Sequence, residues 1–580
     1  MTSLVDAESV LAIDVGSVNT RALLFDVVDG QYHFIASGVA ASTIDAPFRD
    51  ISEGVHNALD RLQEATGRIF ASTETRLILP SRSDGAGVDR LALTYSAGDE
   101  LSIVTVGLLS EVSLQSAQRL AGSVYGRVVE SLGLNDRRKP EVQVDAILQA
   151  RPDVVILAGG TEKGATRSVL KLVELIGLAC KIMPKETRPE VLYCGNGAER
   201  LVKRIKETLD RDVKLTVAPN IRPGIDKEDL APAANQLART AARIRAQQSP
   251  GFEGYASLSS SPMAPSAYAT GRMMRFFSEI FDHSKGILGV DLGGSSTVIA
   301  AAMAGVLQLN AFRPLGVGAG LADVLQSSSL EDLAAWVPVD LPESAIRDYL
   351  TAKSLRPGML PMTQDALAIE QAAARFILQV AMLRTQERWQ NLSLAFDRIF
   401  LSGAVLGHAP SPAQSLLIAL DGIQPVGMST FYLDPHGLTQ ALGAISGSNT
   451  ILPVQVLDTG AYLNLGSVIS PISDARPGTV VLKIRVAFEQ GGEQHIEVKQ
   501  GTLVSLPVRN GQVAQLTIDT SGGTILDPAR PRQKSYKVIG GLCGVVVDTR
   551  GRPIVLPQDA AKRRDTLQRW AHSLEDRRVV

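Results

Sequence analysis

Cysteine is scarce: only Cys180, Cys194 and Cys543 occur in 580 residues. No two form a CxxC pair and an odd number leaves one over, so a disulfide framework is excluded and a reducing, cytoplasmic setting is expected. Cys194, in LYCGNG, has no base near it in sequence and reads as a buried structural residue. The seven histidines, at 33, 56, 283, 408, 436, 495 and 572, lack HExxH or any other ligand spacing, which argues against a zinc site. Excess charge of one sign is also missing. With 58 basic and 60 acidic residues the net charge is -2 at pH 7, which fits neither a nucleic-acid surface nor an acidic tail. No GxxxxGK[ST] loop is present, so Walker-type phosphate binding is excluded. The N-terminus MTSLVDAESV has no basic segment followed by an apolar one, and no secretory leader is expected. The most apolar stretch, ILGVDLGGSSTVIAAAMAGV at 287–306, is broken by Asp291 and by glycines, and reads as a buried hairpin rather than a membrane span.

What the chain does contain is alternation of short apolar strands with amphipathic helices, over a length that calls for roughly three to five units of about 150 residues. Residues 1–130 read as a first α/β unit. Residues 131–245 read as an inserted α/β region, and from 141 to 220 the alternation becomes regular (VDAILQA, DVVILAGG, ATRSVLKLVELIGL, EVLYCG, AERLVKRIKETL, VKLTVAP), which implies a parallel sheet with crossover helices. The turn AGGTEKG at 158–164 could bind an anion at a helix start, or simply join strand to helix. Residues 246–284 read as a linker rich in Ser, Pro, Gly and Gln followed by a connecting helix. A second α/β half spans 285–450, with a long helix near 364–389 whose Ile369, Ala373, Phe376, Val380 and Leu383 recur at core-packing spacing. After 451 the pattern becomes β-rich, and the end KRRDTLQRWAHSLEDRR reads as a solvated helix.

One device occurs twice. LAIDVGSVNTRALLF at 11–25 and LGVDLGGSSTVIAAA at 288–302 align Asp14 with Asp291, Gly16 with Gly293, Asn19 with Ser296 and Thr20 with Thr297. Glycines let the turn backbone approach a ligand closely. Turn N–H groups, with the hydroxyls of Ser17, Thr20, Ser295, Ser296 and Thr297 and the flexible Gly294, can form an anion cradle. An aspartate beside phosphate makes sense if Mg²⁺ lies between them, because Mg²⁺ recruits one or two carboxylates plus phosphates. Asp14 and Asp291 are therefore the expected metal-holding and catalytic carboxylates, and two facing turns would hold a nucleoside triphosphate from both sides. In-line attack of water on the γ-phosphate asks mainly for positioning and charge stabilisation. No water-orienting base is evident; Asp84, in SRSDGAG, reads as a surface-loop carboxylate.

Strand, DxG(S/G)xxT turn, strand, repeated in two α/β halves, resembles the superfamily of actin, the heat-shock chaperones and the sugar kinases. That resemblance implies two ATPase halves around a nucleotide cleft. It also implies a third, adenosine-holding turn, matched by Ser402-Gly403 in DRIFLSGAVLGHAPSPAQSLLIAL, where Ala404 replaces the usual second glycine. A series of further segments, LALTYSAGDELSIVTVGLLSEVSLQSAQRLAGSV, VVILAGGTEKGATRSVL, VAPNIRP, DLGGSST and PVGMSTFYLDPHGLTQALGAI, resembles the MutL-type reactivating ATPases of glutamate mutase over residues 9–450. This family is distinct from the mismatch-repair protein of that name. The resemblance implies ATP and Mg²⁺ as cofactors and a cobalamin-dependent mutase subunit as partner, while the balanced charge and the broken apolar stretch lead us to expect neither nucleic acid nor membrane as partners. The sequence departs from the family at Val298, where an aspartate commonly follows the hairpin threonine, and the expected consequence is weaker hydrolysis with binding retained. A small-molecule kinase of the same fold and a nucleotide-dependent scaffold are the alternatives.

Overall fold

In a computed structural model the described residues are 8–72, 76–209 and 211–575. Most of the N-terminal segment read for a leader, and the last residues of the C-terminal charged run, lie outside them. The chain opens with β1 (Val10–Val15), β2 (Asn19–Val28) and β3 (Gln31–Ala41), an antiparallel meander, and β4 (Arg90–Tyr95) adds to β1 in parallel. β1 is buried along its whole length, as a central strand covered on both faces must be. The helix Ser52–Thr66 covers one face, burying Val55, Ala58, Leu59 and Leu62 at helical spacing and ending at Gly67 in the left-handed conformation.

The chain then leaves for an inserted α/β unit. β5 (Leu101–Gly107), β6 (Gly126–Gly133), β7 (Val154–Ala158), β8 (Glu190–Tyr193) and β9 (Leu215–Val217) form a wholly parallel sheet in the order β6-β5-β7-β8-β9. The insertion therefore starts near residue 100, not at 131, because LSIVTVG pairs with Val154–Ala158 and not with the first sheet. It returns through β10 (Ala264–Pro265), two residues inside the expected linker that pair in parallel with β4. That expectation is corrected: 252–258 is helical, and 264–265 completes the first sheet in the order β10-β4-β1-β2-β3.

The second half repeats this plan. β11 (Gly286–Leu292), β12 (Thr297–Met303) and β13 (Val306–Phe312) form the meander, β14 (Phe396–Ser402) pairs in parallel with β11, and β15 (Gly427–Asp434) in parallel with β14. The orders β3-β2-β1-β4-β10 and β13-β12-β11-β14-β15 are the same topology, so the duplicated hairpins belong to duplicated sheets. Each fifth strand leads into a helix, Ser266–Ile280 and Leu438–Ile445, and these two helices meet between the halves. The contact is backbone-close: a Cβ on Gly443 would sit 2.0 Å from the Ala269 carbonyl oxygen.

The boundary at 450 is also redrawn. β16 (Leu463–Ser470) extends the second sheet beyond β15. Of the following strands, β17 (Val480–Phe488), β18 (Glu493–Lys499), β20 (Val513–Thr520) and β21 (Ser535–Ile539) make a separate four-stranded sheet. β19 (Leu503–Leu506) and β22 (Val545–Asp548) instead join β16, giving an eight-stranded sheet. The C-terminal helix Ala560–Glu575 is not simply solvated: Leu567, Trp570 and Leu574 enter the core of the second half. Among the described helices only Gln364–Arg388 is long and apolar enough to span a membrane. Its Ile369, Ala373 and Phe376 are in the core with Ile377 and Ala381, whereas Leu383 of the expected stripe is exposed.

Candidate functional site

The two hairpin turns close in the same way. The Gly16 N–H donates to the Asn19 carbonyl at 3.0 Å, and the Gly293 N–H to the Ser296 carbonyl at 2.9 Å. Their tips touch: a Cβ on Gly294 would lie 2.5 Å from Val18 Cγ2. Between the turns opens a cleft of about 410 Å³, lined by Asp14, Gly16, Ser17 and Asn19 from the first half and by Asp291, Gly293, Gly294, Ser295 and Ser296 from the second. Gly403 lines it as well, at φ 105°, where any Cβ would strike the Leu292 carbonyl oxygen at 2.1 Å.

Three of the sequence-predicted residues are used differently. Thr297 is fully buried and its hydroxyl donates to the Leu315 carbonyl at 2.9 Å, pinning a loop instead of facing the cleft. Thr20 is also fully buried, and among the described residues its hydroxyl has no hydrogen-bond partner. Ser402 donates to Asp291 at 2.7 Å, so it orients a carboxylate and does not present its hydroxyl to a ligand. All three sit on strands and are buried. Asp84 is exposed and accepts from its own turn at Ala86. The 158–164 turn is tied by Asn220, which donates to the Gly160 carbonyl at 2.9 Å and to Glu162 at 3.0 Å.

Each aspartate is held by hydroxyls from neighbouring strands of its own sheet. Asp14 accepts from Thr94 on β4 and from Ser266 just after β10, both at 2.7 Å, and Arg21 stands 3.6 Å from its other oxygen. Asp291 accepts from Ser402 on β14, the structural counterpart of Thr94. Burial pushes the Asp291 carboxyl above its ordinary value; Ser402 and Arg21 oppose that shift, while the Asp14 and Asp434 carboxylates add to it. Two carboxylates facing one cleft with a single nearby guanidinium leave negative charge that a divalent cation would neutralise. Gln440 adds a buried side-chain oxygen on the cleft wall that has no donor among the described residues. These features fit a hydrated Mg²⁺ with phosphates against the glycine turns. Val298 lies opposite Asp291 in register, fully buried in apolar surroundings.

Several cleft residues carry no local sequence signal. The loop after β13 wraps the second turn, with the Val317 and Gly318 N–H groups donating to the Gly293 and Gly294 carbonyls at 3.0 and 2.8 Å. Lys353 and Glu370 pair at 3.1 Å on the opposite wall, where Tyr349 also donates to Glu370 at 2.8 Å. Arg21 and Ser96 belong to the first half of the chain and Lys353 to the second, and only the duplicated fold brings them to one cleft. All three cysteines are buried, and burial raises the Cys194 thiol, as a structural role requires.

No curated protein matches the chain in sequence. Among solved structures, a nucleotide-free acetone carboxylase aligns over 86% of this chain and 82% of its own, at 11% identity and TM-score 0.34. Gluconate kinase from Lactobacillus acidophilus aligns over 79% and 93%, at 11% identity and TM-score 0.30. Xylulose kinase from Bifidobacterium adolescentis aligns over 78% and 93%, at 12% identity and TM-score 0.27. A family model described as MutL protein matches residues 10–460, a span that contains both hairpins, the inserted unit and the whole cleft, and the chain therefore belongs to the MutL protein family.

Proposed function

We propose that the cleft binds Mg–ATP and that its hydrolysis maintains an adenosylcobalamin-dependent mutase. The observation that supports this most strongly is the pairing of two like turns, one from each duplicated sheet, with Asp14 and Asp291 on the same cleft. On this reading the turn N–H groups and the hydroxyls of Ser17, Ser295 and Ser296 receive phosphate oxygens, and Asp14 and Asp291 hold the hydrated cation. The cation, when bound, neutralises charge on the phosphates. Thr94, Ser266 and Ser402 position the two carboxylates, and Gly294 against Val18 keeps the turns in register. The mutase assignment is supported by membership of the family.

Mg-dependent ATP hydrolysis by the full chain without any acceptor is the first measurement, since a small-molecule kinase needs its acceptor. Asp14→Ala and Asp291→Ala are each expected to reduce turnover by at least about a hundredfold while circular dichroism stays unchanged. Wild-type rates in both variants would overturn the cleft assignment. Failure of ATP to restore a cobalamin-inactivated mutase from the same cell would overturn the partner alone.

A further inference from the structure

Behind the second hairpin, where the inserted unit meets the second half, lies another cavity, of about 590 Å³. Two backbone-level contacts close this junction: the Ala311 N–H donates to the Gly122 carbonyl at 2.8 Å, and Arg119 donates to the Arg388 carbonyl at 3.1 Å. The cavity is lined by five arginines, Arg119, Arg127, Arg313, Arg384 and Arg388, against two glutamates, Glu100 and Glu387. Glu100 is shared, with Arg127 at 3.5 Å and Arg313 also acting on it electrostatically, and Arg119 is paired with Glu228 at 3.2 Å. Among the described residues, Arg313, Arg384 and Arg388 have no carboxylate within ion-pair distance.

Two of these three, Arg388 and Arg313, are held there by neutral groups. Arg388 donates to the Asn310 side chain at 2.9 Å and lies 5.7 Å over the Phe312 ring. Arg313 donates to the Gly98 carbonyl and, at 3.4 Å, to the Ser295 hydroxyl of the second turn. Burial lowers the pKa of Arg388, and Arg119 and Arg384 lower it further, as expected of like charges gathered without a counterion. Gathering the partly buried Arg119, Arg313 and Arg388 on one concave space, with the exposed Arg384 and Arg127 at its mouth, sets like charges against one another at a cost in stability that a bound anion would return. Arginine forks match tetrahedral oxyanions bidentately, whereas a flat surface of solvated charge would place its arginines apart.

We propose that this junction is a binding site for a small phosphate-bearing ligand, separate from the nucleotide cleft, with Arg384 and Arg388 as its principal donors and Arg127 at its rim. Arg313 stands between the two sites, one guanidinium away from Ser295. The site does not depend on the identity of the nucleotide or of the mutase.

Trp389 provides the reporter, because the Arg119 guanidinium lies 4.8 Å over its ring beside this cavity. Inorganic pyrophosphate titrated into the full chain is expected to change tryptophan fluorescence saturably, and Trp389→Phe is expected to remove that change. Arg384→Gln, an exposed position that folding tolerates, is expected to weaken pyrophosphate binding by about tenfold, the loss of one charge-assisted contact. Inorganic phosphate distinguishes a single-phosphate site, which it would saturate equally well, from one needing two. A response that survives Trp389→Phe, or a pyrophosphate affinity unchanged in both Arg384→Gln and Arg127→Gln, would overturn the proposal, including the case where pyrophosphate goes only to the nucleotide cleft.

Discussion

Thr94 and Ser402 perform the same task in the two halves, each donating its hydroxyl hydrogen to the aspartate opposite it on the neighbouring parallel strand. Asp291 nonetheless remains in a costly position, because burial and two neighbouring carboxylates raise its pKa. A carboxyl with a raised native pKa favours folding while protonated, and loses that contribution as pH rises from the unfolded value of 3.8 through the native one. Without cation or nucleotide, Asp291→Asn is therefore expected to melt above the wild type at pH 7, with the difference shrinking toward pH 4. Thermal melts at the two pH values check this, and a variant less stable than the wild type at pH 7 would contradict it. A site residue whose removal stabilises the chain is the pattern expected where activity requires local strain. The hairpin pattern singles out Asp14, which lines the cleft, but it gives no sign of Thr94 and Ser266, since each reaches Asp14 from 80 or more positions away.

At the scale of elements, the hairpins and the long core helix follow from local pattern, because alternation and the DxG turn are written in consecutive residues. The boundaries do not, because sheet membership is a matter of pairing between distant segments. β10 has only two residues and no periodicity to read, and β22 finds β16 through Ser467 and Val545. The C-terminal part is tied to the second half by buried charge as well. Lys285, just before β11, meets Asp527 at 2.9 Å with both side chains almost fully buried. Lys285→Met leaves Asp527 uncompensated and is expected to cost about 3–5 kcal/mol, read as a lower denaturation midpoint with an unchanged slope. Nearby, burial would raise the Asp548 carboxyl, but Arg550 and Arg552 overcome it and hold it below the ordinary value. Its contribution is present above the unfolded carboxylate pKa and is lost as pH falls through the native one.

Across the whole molecule, the two sheets meet through the paired helices at Gly443 and through the hairpin tips at Gly294, with the cleft between these two contacts. A ligand that touches both turns must therefore report on the union of the halves, not on either half alone. Gly443→Ala forces a methyl into the Ala269 carbonyl and is expected to weaken nucleotide binding while each sheet keeps its circular dichroism. The core is continuous from β11 to the C-terminal helix, since Leu292, Leu465, Val546 and Trp570 belong to one cluster. Nucleotide bound at the hairpins should for that reason stabilise the C-terminal strands too. At a free Mg–ATP analogue concentration about one hundred times its Kd, linkage adds about 2.7 kcal/mol. The expected result is an upward shift of the main melting transition, with hydrogen exchange slowing in β16 and β22 as well as in the hairpins. Asp14→Ala should remove the Mg-dependent part of the shift in both regions together. Protection confined to the hairpins would mean that the eight-stranded sheet does not unfold as one unit.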